Sequence, residues 1–349
     1  MTSPREAGFR APAEWAPHVA TWVAWPSHAD LWAENLAPAR EAFSGLVAAI
    51  VDGERADGEV VEVLVPDAES EALARASLPA RRVRFHRVPF GDIWLRDTGP
   101  IFVQGPRQGE TGTVRFRFNG WGGKYVLEHD DRVGERVSEL AGASHAFAMP
   151  FVLEGGAIDV DGAGSILTTR ECLLNANRNP SMTEQEIERA VLSAVGGEKV
   201  MWIDRGLLND HTDGHVDTII RFVAPGTVVT MEPRLEADPN RAVLEAIARE
   251  AAALVDARGR KLNVVRVPSP GCITDDGGRV LPASYVNFYI ANACVVVPTY
   301  GSPFDDEAVE LLGALFPGRR TVGIDARGVL AGGGAFHCIT QQQPRGAER

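Results

Sequence analysis

The chain has 349 residues, of which 45% are hydrophobic and 23% are charged, as is typical of a globular protein. Its 35 basic and 47 acidic residues give a net charge of −12, which argues against binding to nucleic acids or to anionic membrane surfaces. The apolar runs are too short for a membrane-spanning helix, so no membrane partner is expected.

The cysteines and the N-terminal sequence indicate the cellular compartment. The first ten residues are charged and lack the apolar segment of a signal peptide. The four cysteines are far apart and form no CxxC pair of a zinc ribbon. These features predict a cytoplasmic protein with reduced thiols. The thiols expected in the apolar core are those of Cys172, Cys272 and Cys294.

Five amphipathic helices are predicted from apolar residues at a period of 3.6. A capping box, Thr183 with Glu186, marks the start of the third helix. Asp238 followed by Pro239 predicts an N-cap for the fourth. In chain order, the predicted helices lie near 39–51, 131–140, 183–195, 238–255 and 305–316.

A β-rich run precedes each helix and another follows it. The first unit also contains a weaker helix near 68–77 and a strand near 82–88. No low-complexity linker divides the chain, so we expect one α/β domain over residues 1–349, with tails at 1–13 and 344–349. The runs are 19–25, 60–65, 113–118, 145–152, 165–168, 199–203, 227–231, 262–267, 295–298 and 320–324.

Chemically active residues follow the units of this pattern. Equivalent loops of a cyclic repeat converge at one end of its axis, so the side chains on these loops are expected to meet. The fourth unit leads to residues 268–278, which are less distinctive. The other four lead to Asp97, Glu154, His215, Asp217 and Cys338.

This set predicts a cysteine enzyme that acts on a guanidinium carbon. Cys338 follows three glycines, which allow a close approach of the backbone, and a thiolate is a nucleophile. His215 is suited to proton transfer and is expected on one strand face with Asp217. Carboxylates bind a guanidinium in bidentate fashion.

Each of these residues also has a purely structural interpretation. Cys338 could be a packed thiol, and His215 could be a core histidine. Asp97 could form an ion pair with its neighbour Arg96, and Glu154 could serve a turn. The prediction of an active site therefore depends on the whole set.

Two further patterns remain open. His211 and His215 have the spacing of a helical zinc pair, but Asp213 with Gly214 favours a turn between them, so no metal is expected. Trp94 and Trp121 could be core residues or an aromatic wall over a cation.

At these positions the sequence resembles agmatine deiminase and the bacterial-type peptidylarginine deiminase family, in the guanidino-group-modifying (pentein) superfamily. The resemblance covers nearly the whole chain. The motifs that carry it are Trp94-x-Arg-Asp-x-Gly-Pro, Phe118-Asn-x-Trp-Gly-Gly, Leu153-Glu-Gly-Gly, Asp213-Gly-His-Val-Asp, Ala283-Ser-Tyr-Val-Asn-Phe-Tyr-Ile and His337-Cys-Ile-Thr-Gln-Gln-Gln-Pro.

The resemblance implies a five-bladed α/β propeller with pseudo-fivefold symmetry, no metal or organic cofactor, and a homo-oligomer. It implies that Cys338 is the nucleophile and His215 the general acid and base. Glu154 supports His215 and contacts the guanidinium, which Asp97 and Asp217 clamp. The other residues expected to bind substrate are Trp94, Trp121, Gly333 and His211.

The sequence departs from the family pattern beside the site. His211 replaces a glutamate that helps receive the amine of agmatine, Ala335-Phe336 replaces Asn-Ile, and Thr218 stands where asparagine is common. We expect a guanidino substrate whose far end is not a simple amine. Peptidyl-arginine deiminase and amidinotransferase are the nearest alternatives. A catalytically silent guanidine-binding protein and a zinc hydrolase are more distant ones.

Overall fold

The computed structural model describes residues 2–52 and 58–346. Within these residues the strands form five separate sheets, one with four strands and four with three. In chain order the strands are β1 (His18–Ala24), β2 (Val60–Val65), β3 (Val83–Arg87), β4 (Ile101–Gln104), β5 (Thr111–Arg117), β6 (His145–Val152), β7 (Ile158–Val160), β8 (Ser165–Thr169), β9 (Lys199–Ile203), β10 (Ile220–Ala224), β11 (Thr227–Glu232), β12 (Asn263–Pro268), β13 (Tyr289–Ile290), β14 (Cys294–Thr299), β15 (Arg320–Asp325) and β16 (Thr340–Pro344).

Longer helices connect parallel strands, and short helices lie in the loops. No helix in the described part of the chain has the length and apolar character needed to cross a membrane. Short 3-10 turns occupy Ala33–Asn35, Gly155–Ala157 and Val216–Thr218. The α-helices are α1 (Ala29–Trp32), α2 (Leu36–Val51), α3 (Ala68–Ser77), α4 (Leu95–Thr98), α5 (Gly120–Gly123), α6 (Asp130–Leu140), α7 (Arg170–Leu173), α8 (Glu184–Val195), α9 (Arg241–Ala253), α10 (Asp305–Ala314) and α11 (Arg327–Leu330).

All five sheets share one pattern of pairing. In β4-β5-β6, β7-β8-β9, β10-β11-β12 and β13-β14-β15, the first pair of strands is antiparallel and the second pair is parallel. The parallel strands are joined across α6, α8, α9 and α10, respectively. Parallel neighbours need such a crossover, whereas antiparallel neighbours are joined by a tight turn.

The two ends of the chain complete the remaining sheet, β16-β1-β2-β3. Here β16 pairs antiparallel with β1, with Trp22 opposite Gln341, and β1 pairs parallel with β2 across α2. The last strand therefore takes the place that the first strand holds in the other sheets. Residues before Glu14, predicted as a tail, are packed: Phe9 is 2% exposed and lies edge-on against Phe147.

The predicted elements are present, with shifts at their ends. The capping box is confirmed, because Thr183 and Glu186 bond to each other's backbone amides. The predicted N-cap at Asp238 is wrong: α9 begins three residues later, after Asn240. The Asp238 carboxylate instead accepts a hydrogen bond from the Asn240 amide, which forms a turn before the helix.

The segments that enter the first strand of each sheet lie against one another. They are α4, the 3-10 turns 155–157 and 216–218, and the turns that carry Asn287 and Cys338. The Arg96 amide donates to the Cys338 carbonyl at 3.1 Å, and the His337 amide donates to the Asn287 carbonyl at 3.1 Å. Equivalent connections thus meet at one place.

The sheet formed by both chain ends makes a prediction about stability. Truncation after Ile339 removes β16 and its ladder of hydrogen bonds, each worth about 1 kcal/mol. We expect the melting temperature to fall by about 5 °C or more, since each kcal/mol is worth about 1–2 °C in a chain of this length. Thermal unfolding followed by circular dichroism measures this.

The matched control is truncation after Gly346, which keeps all of β16. Equal melting temperatures for the two truncated chains would show that closure by β16 does not stabilise the fold.

Candidate active site

The three glycines before Cys338 allow a backbone segment to lie directly against Trp94. A Cβ on Gly332 or on Gly334 would lie 2.7 Å from the Trp94 ring, which is too close for a real contact. Gly333 has φ +106°, a conformation that L side chains rarely adopt. The glycines therefore form one wall of a pocket.

Cys338 lies at the base of this pocket and is 5% exposed. The Asn287 side-chain amide donates to its Sγ at 3.2 Å, and Asp217 Oδ2 lies 3.7 Å from Sγ. Burial, followed by the charges of Asp217 and Asp97, raises the pKa of the Cys338 thiol well above that of an ordinary cysteine. At neutral pH this raised pKa favours the protonated thiol over the thiolate.

Asp97 is held beside this thiol by two donors. Its Oδ2 accepts from the Trp121 indole at 2.9 Å, and its Oδ1 accepts from the Gly156 amide at 2.9 Å. Trp121 has φ +53° and ψ +50°, a left-handed conformation that is rare outside glycine. The strained backbone directs the indole N–H at the carboxylate. Burial raises the pKa of Asp97.

His215 is fully buried between two carboxylates. Its Nδ1 lies 3.8 Å from Asp97 Oδ1, and its Nε2 lies 4.0 Å from Glu154 Oε2. Burial lowers the pKa of His215, but Asp97, Cys172 and Glu154 raise it by more, so the net pKa lies well above the usual value. The neighbouring carboxylates therefore favour the protonated, imidazolium form of the ring.

Arg178 holds Glu154 in this position. Its Nε donates to Glu154 Oε1 at 2.8 Å, and its other nitrogens bond to Thr212 and Asp213. Burial raises the pKa of Glu154, but His215 and Arg178 lower it by more, so Glu154 is ionised. Its Oε2 has no hydrogen-bond partner among the described residues.

Gly156 marks the centre of the cluster. A Cβ built there would lie 2.6 Å from His215 Nδ1, 2.9 Å from Asp97 Oδ1 and 3.0 Å from Asp217 Oδ2. Any larger side chain would fill the space that these three polar groups surround.

Asp217 is connected to a chain of buried charges. His337 Nδ1 lies 2.6 Å from Asp217 Oδ2, and His337 Nε2 lies 2.8 Å from Glu14 Oε2. Arg221 donates to the same Glu14 oxygen at 2.7 Å. Burial raises the pKa of Asp217, but His337, His215 and Arg221 lower it by more. Asp217 is therefore ionised, and its Oδ1 has no partner in the described structure.

Five of the six residues expected to bind substrate line the same pocket as Cys338, namely Asp97 and four others, whereas Asp217 lies outside its lining. The five share this pocket with Trp32, whose ring stacks on Trp94 at a centroid distance of 6.0 Å. The four others are Trp94, Trp121, Gly333 and His211.

One group in the described residues has ligand atoms close enough to hold a metal: Glu154, Cys172 and His215, all within 4.8 Å. The Arg178 guanidinium on Glu154 opposes a cation there electrostatically. The histidine pair considered for zinc does not lie on a helix, because His215 precedes the 3-10 turn 216–218.

Several expectations about local structure were wrong. His215 and Asp217 lie at a 3-10 turn and not on one strand face. Cys272 is exposed, whereas Cys172 and Cys294 are buried as expected. Arg96 bonds to Gln342 and to the His337 carbonyl, so the pairing of Asp97 with Arg96 is not formed.

Sequence reasoning missed four residues of the site. The fourth unit contributes Asn287 and not residues 268–278. Asn287 precedes β13 as Cys338 precedes β16. Comparison of equivalent positions in the repeated units could therefore have identified Asn287. Arg178, Glu14 and His337 had no such signal, because their partners lie far away along the chain.

A buried cysteine, an imidazolium and ionised carboxylates define a class of protein. The site is of the kind used by cysteine enzymes that act on a planar cation, and it lies in a fold of mixed α/β sheets. The chain belongs to the Porphyromonas-type peptidyl-arginine deiminase family, whose model matches residues 10–344.

Individual relatives cover nearly the whole chain. Agmatine deiminase of Stutzerimonas stutzeri (strain A1501) is 40% identical, over 98% of this chain and 97% of that protein. The structure of Enterococcus faecalis agmatine deiminase has a TM-score of 0.92 at 32% identity and covers 99% of both chains. A C. jejuni agmatine deiminase variant with substrate bound has a TM-score of 0.87 at 25% identity, over 97% of both chains.

The electrostatics of Cys338 predict how its reactivity depends on pH. Iodoacetamide alkylates the thiolate, so alkylation of Cys338 should be slow at neutral pH and should accelerate only as pH approaches its raised pKa. In Asp217→Asn the loss of a negative charge lowers that pKa, and the acceleration should move to lower pH. Peptide mass spectrometry follows Cys338 separately from the other thiols.

The exposed Cys272 in the same sample is the internal control, and its alkylation should be unchanged by Asp217→Asn. Superposable Cys338 profiles in the two proteins would contradict an electrostatic effect of Asp217 on the thiol.

Proposed function

We propose that the protein is a guanidine deiminase, which hydrolyses a C–N bond of a guanidino compound such as agmatine to a urea-type product and ammonia. The observation that carries this proposal is a pair of buried carboxylate oxygens, Glu154 Oε2 and Asp217 Oδ1, that have no partner within the described residues. A buried carboxylate oxygen that accepts no hydrogen bond is costly, even when the other oxygen of the group is paired. A guanidinium ion supplies the planar N–H donors that satisfy both oxygens.

Substrate binding prepares the nucleophile. Asp97 and Asp217 clamp the guanidinium nitrogens and bring its carbon to Cys338. The positive charge of the substrate offsets the carboxylates that raise the pKa of the Cys338 thiol, so the thiol releases its proton to solvent as the substrate binds and a thiolate forms in the complex. Trp94 and Trp121 enclose the alkyl chain and exclude water.

The chemical steps then proceed through a covalent adduct. The Cys338 thiolate attacks the guanidinium carbon, and the His215 imidazolium protonates the leaving nitrogen, so ammonia departs and a thiouronium remains on sulfur. Neutral His215 then takes a proton from water as the water attacks. Collapse of this adduct breaks the C–S bond, releases the urea-type product and restores both residues. General acid–base catalysis by His215 contributes about 10²–10⁴-fold.

The fold supports this arrangement. We propose that the five sheets are the blades of a propeller with pseudo-fivefold symmetry, since they repeat one pattern of pairing and their entry segments meet at the site. We also propose a cytoplasmic location, which suits four free cysteines, and a homo-oligomer.

Replacement of the nucleophile tests the proposal. Cys338→Ser should reduce ammonia release from a panel of guanidines by at least about 10³-fold, as loss of a covalent nucleophile does. The panel contains agmatine, arginine, a blocked peptidyl arginine and several guanidino acids. An enzymatic assay for ammonia is the measurement.

Cys272→Ser removes an exposed thiol and should leave the rate unchanged. Ammonia release by the wild-type chain from only the peptidyl arginine would favour peptidyl-arginine deiminase. Amidino transfer to an amine without ammonia release would favour amidinotransferase, and undiminished release by Cys338→Ser would overturn the proposed mechanism.

Gly156 gives a second test. In Gly156→Ala the new methyl group occupies the space between His215, Asp97 and Asp217. We expect kcat/KM for the best guanidine of the panel to fall by about 10²-fold or more, as small displacements of reacting groups do.

The control is Gly277→Ala, because a Cβ there meets only the Asp275 side chain within 4 Å. Its kinetics should match those of the wild-type chain. Unchanged kcat/KM in Gly156→Ala would show that the guanidinium carbon does not bind beside Gly156.

A further inference from the structure

His211 lies where the pocket reaches solvent, beside Tyr125, which is 42% exposed. Arg279 Nη2 lies 2.9 Å from His211 Nε2, and the Tyr125 hydroxyl lies 3.3 Å from His211 Nδ1. Lys124 Nζ donates to the His211 carbonyl at 2.8 Å. The far end of a substrate bound at Cys338 therefore faces a group of hydrogen-bond donors.

The tautomer of His211 follows from its partner. A guanidinium has donors only, so Nε2 must accept from Arg279 and the single ring proton of neutral His211 is on Nδ1. Burial, followed by the charge of Arg279, lowers the pKa of His211, which keeps the ring neutral. Nδ1 is the nitrogen that faces the pocket wall, since a Cβ on Gly333 would lie 3.1 Å from it. His211 thus donates its Nδ1–H to the Tyr125 hydroxyl, which leaves the hydroxyl proton of Tyr125 to face the pocket.

The positive charge at this rim belongs mainly to Arg279. Within the described residues no carboxylate oxygen lies within 4.0 Å of its guanidinium, and the side chain is exposed. Lys124 is paired with Asp213 at 2.5 Å. The neighbouring Asp275 accepts the backbone amide of Arg279.

Two carboxylates near the rim, those of Asp210 and Asp92, already accept hydrogen bonds from other protein groups. Asp210 Oδ1 accepts from the amide and the hydroxyl of Thr212. Asp92, within the pocket lining, accepts from the indoles of Trp32 and Trp94 at 3.0 and 2.6 Å. These bonds leave the Arg279 guanidinium and the Tyr125 hydroxyl as the donors available to a ligand at the rim.

We propose that the preferred substrates are ω-guanidino carboxylates, with the guanidinium held by the buried carboxylates and the substrate carboxylate bound by Arg279 and the Tyr125 hydroxyl, both of which His211 orients. A cationic far end such as an ammonium would face donors and a positive charge, and is disfavoured. This inference rests on the proposed deiminase function.

Three guanidines that differ only in the charge of the far end test the inference. They are 5-guanidinopentanoate, which is anionic, butylguanidine, which is neutral, and agmatine, which is cationic. We expect kcat/KM for ammonia release to fall in that order, by about tenfold or more between the anion and the cation. Higher ionic strength should reduce the spread, because the rim is exposed.

Reversing the charge at Arg279 should change the relative kcat/KM values of the three guanidines without lowering all of them. Arg279→Glu should lower kcat/KM for 5-guanidinopentanoate by about tenfold, raise it for agmatine and leave butylguanidine unchanged. Arg81→Glu makes the same charge change at an exposed arginine just before the first residue of β3. This control should alter none of the three values. Circular dichroism checks that both variants are folded.

The outcomes separate the two proposals. If no guanidine releases ammonia, the deiminase function itself is wrong. If agmatine is the best of the three, or if Arg279→Glu changes all three compounds equally, the substrate preference is overturned and the deiminase function stands.

Discussion

The structure depends on a group of buried charges that hydrogen bonds connect to one another. The Glu14 carboxylate is hydrogen-bonded to both Arg221 and His337. His337 is in turn hydrogen-bonded to Asp217, which lies beside the thiol. Burying these charges is costly unless each is paired, and removal of one partner from such a network typically costs about 3–5 kcal/mol. The network joins the N-terminal segment, the turn after β9 and the cysteine turn. Correct assembly of distant parts of the chain is therefore coupled to the position of Asp217 beside the thiol.

Glycines in the site leave room that the side chains of other residues would occupy. Gly156 provides this space among three polar groups, and Gly332 and Gly334 allow the wall against Trp94. Trp121 adopts a left-handed backbone so that its indole reaches Asp97. Such local strain persists only where surrounding contacts hold it. The same cluster contains one oxygen each of Glu154 and Asp217, and both ring nitrogens of His215, that have no hydrogen-bond partner within the described residues, so a bound ligand can supply those bonds.

The residues proposed to carry out the reaction and the residues proposed to select the substrate lie at different ends of one pocket. The base contains buried, ionised groups, where electrostatic interactions are strong. The rim contains an exposed arginine and a histidine whose tautomer that arginine sets. Substitutions at the rim can therefore change which guanidine is accepted without disturbing the groups that surround Cys338.

The sequence by itself determined the helices, the strands of each α/β unit and the five residues expected at the site, because apolar periodicity and unusual residue combinations are local signals. Short first strands such as β7 and β13 were missed, since a few residues carry too little periodicity. Only the tertiary structure decided that Asn287 contacts the thiol, that Arg178 holds Glu154 and that Glu14 reaches Asp217 through His337. These partners are 24 to 323 residues apart in the chain, so that only packing of the five sheets brings them within hydrogen-bond distance.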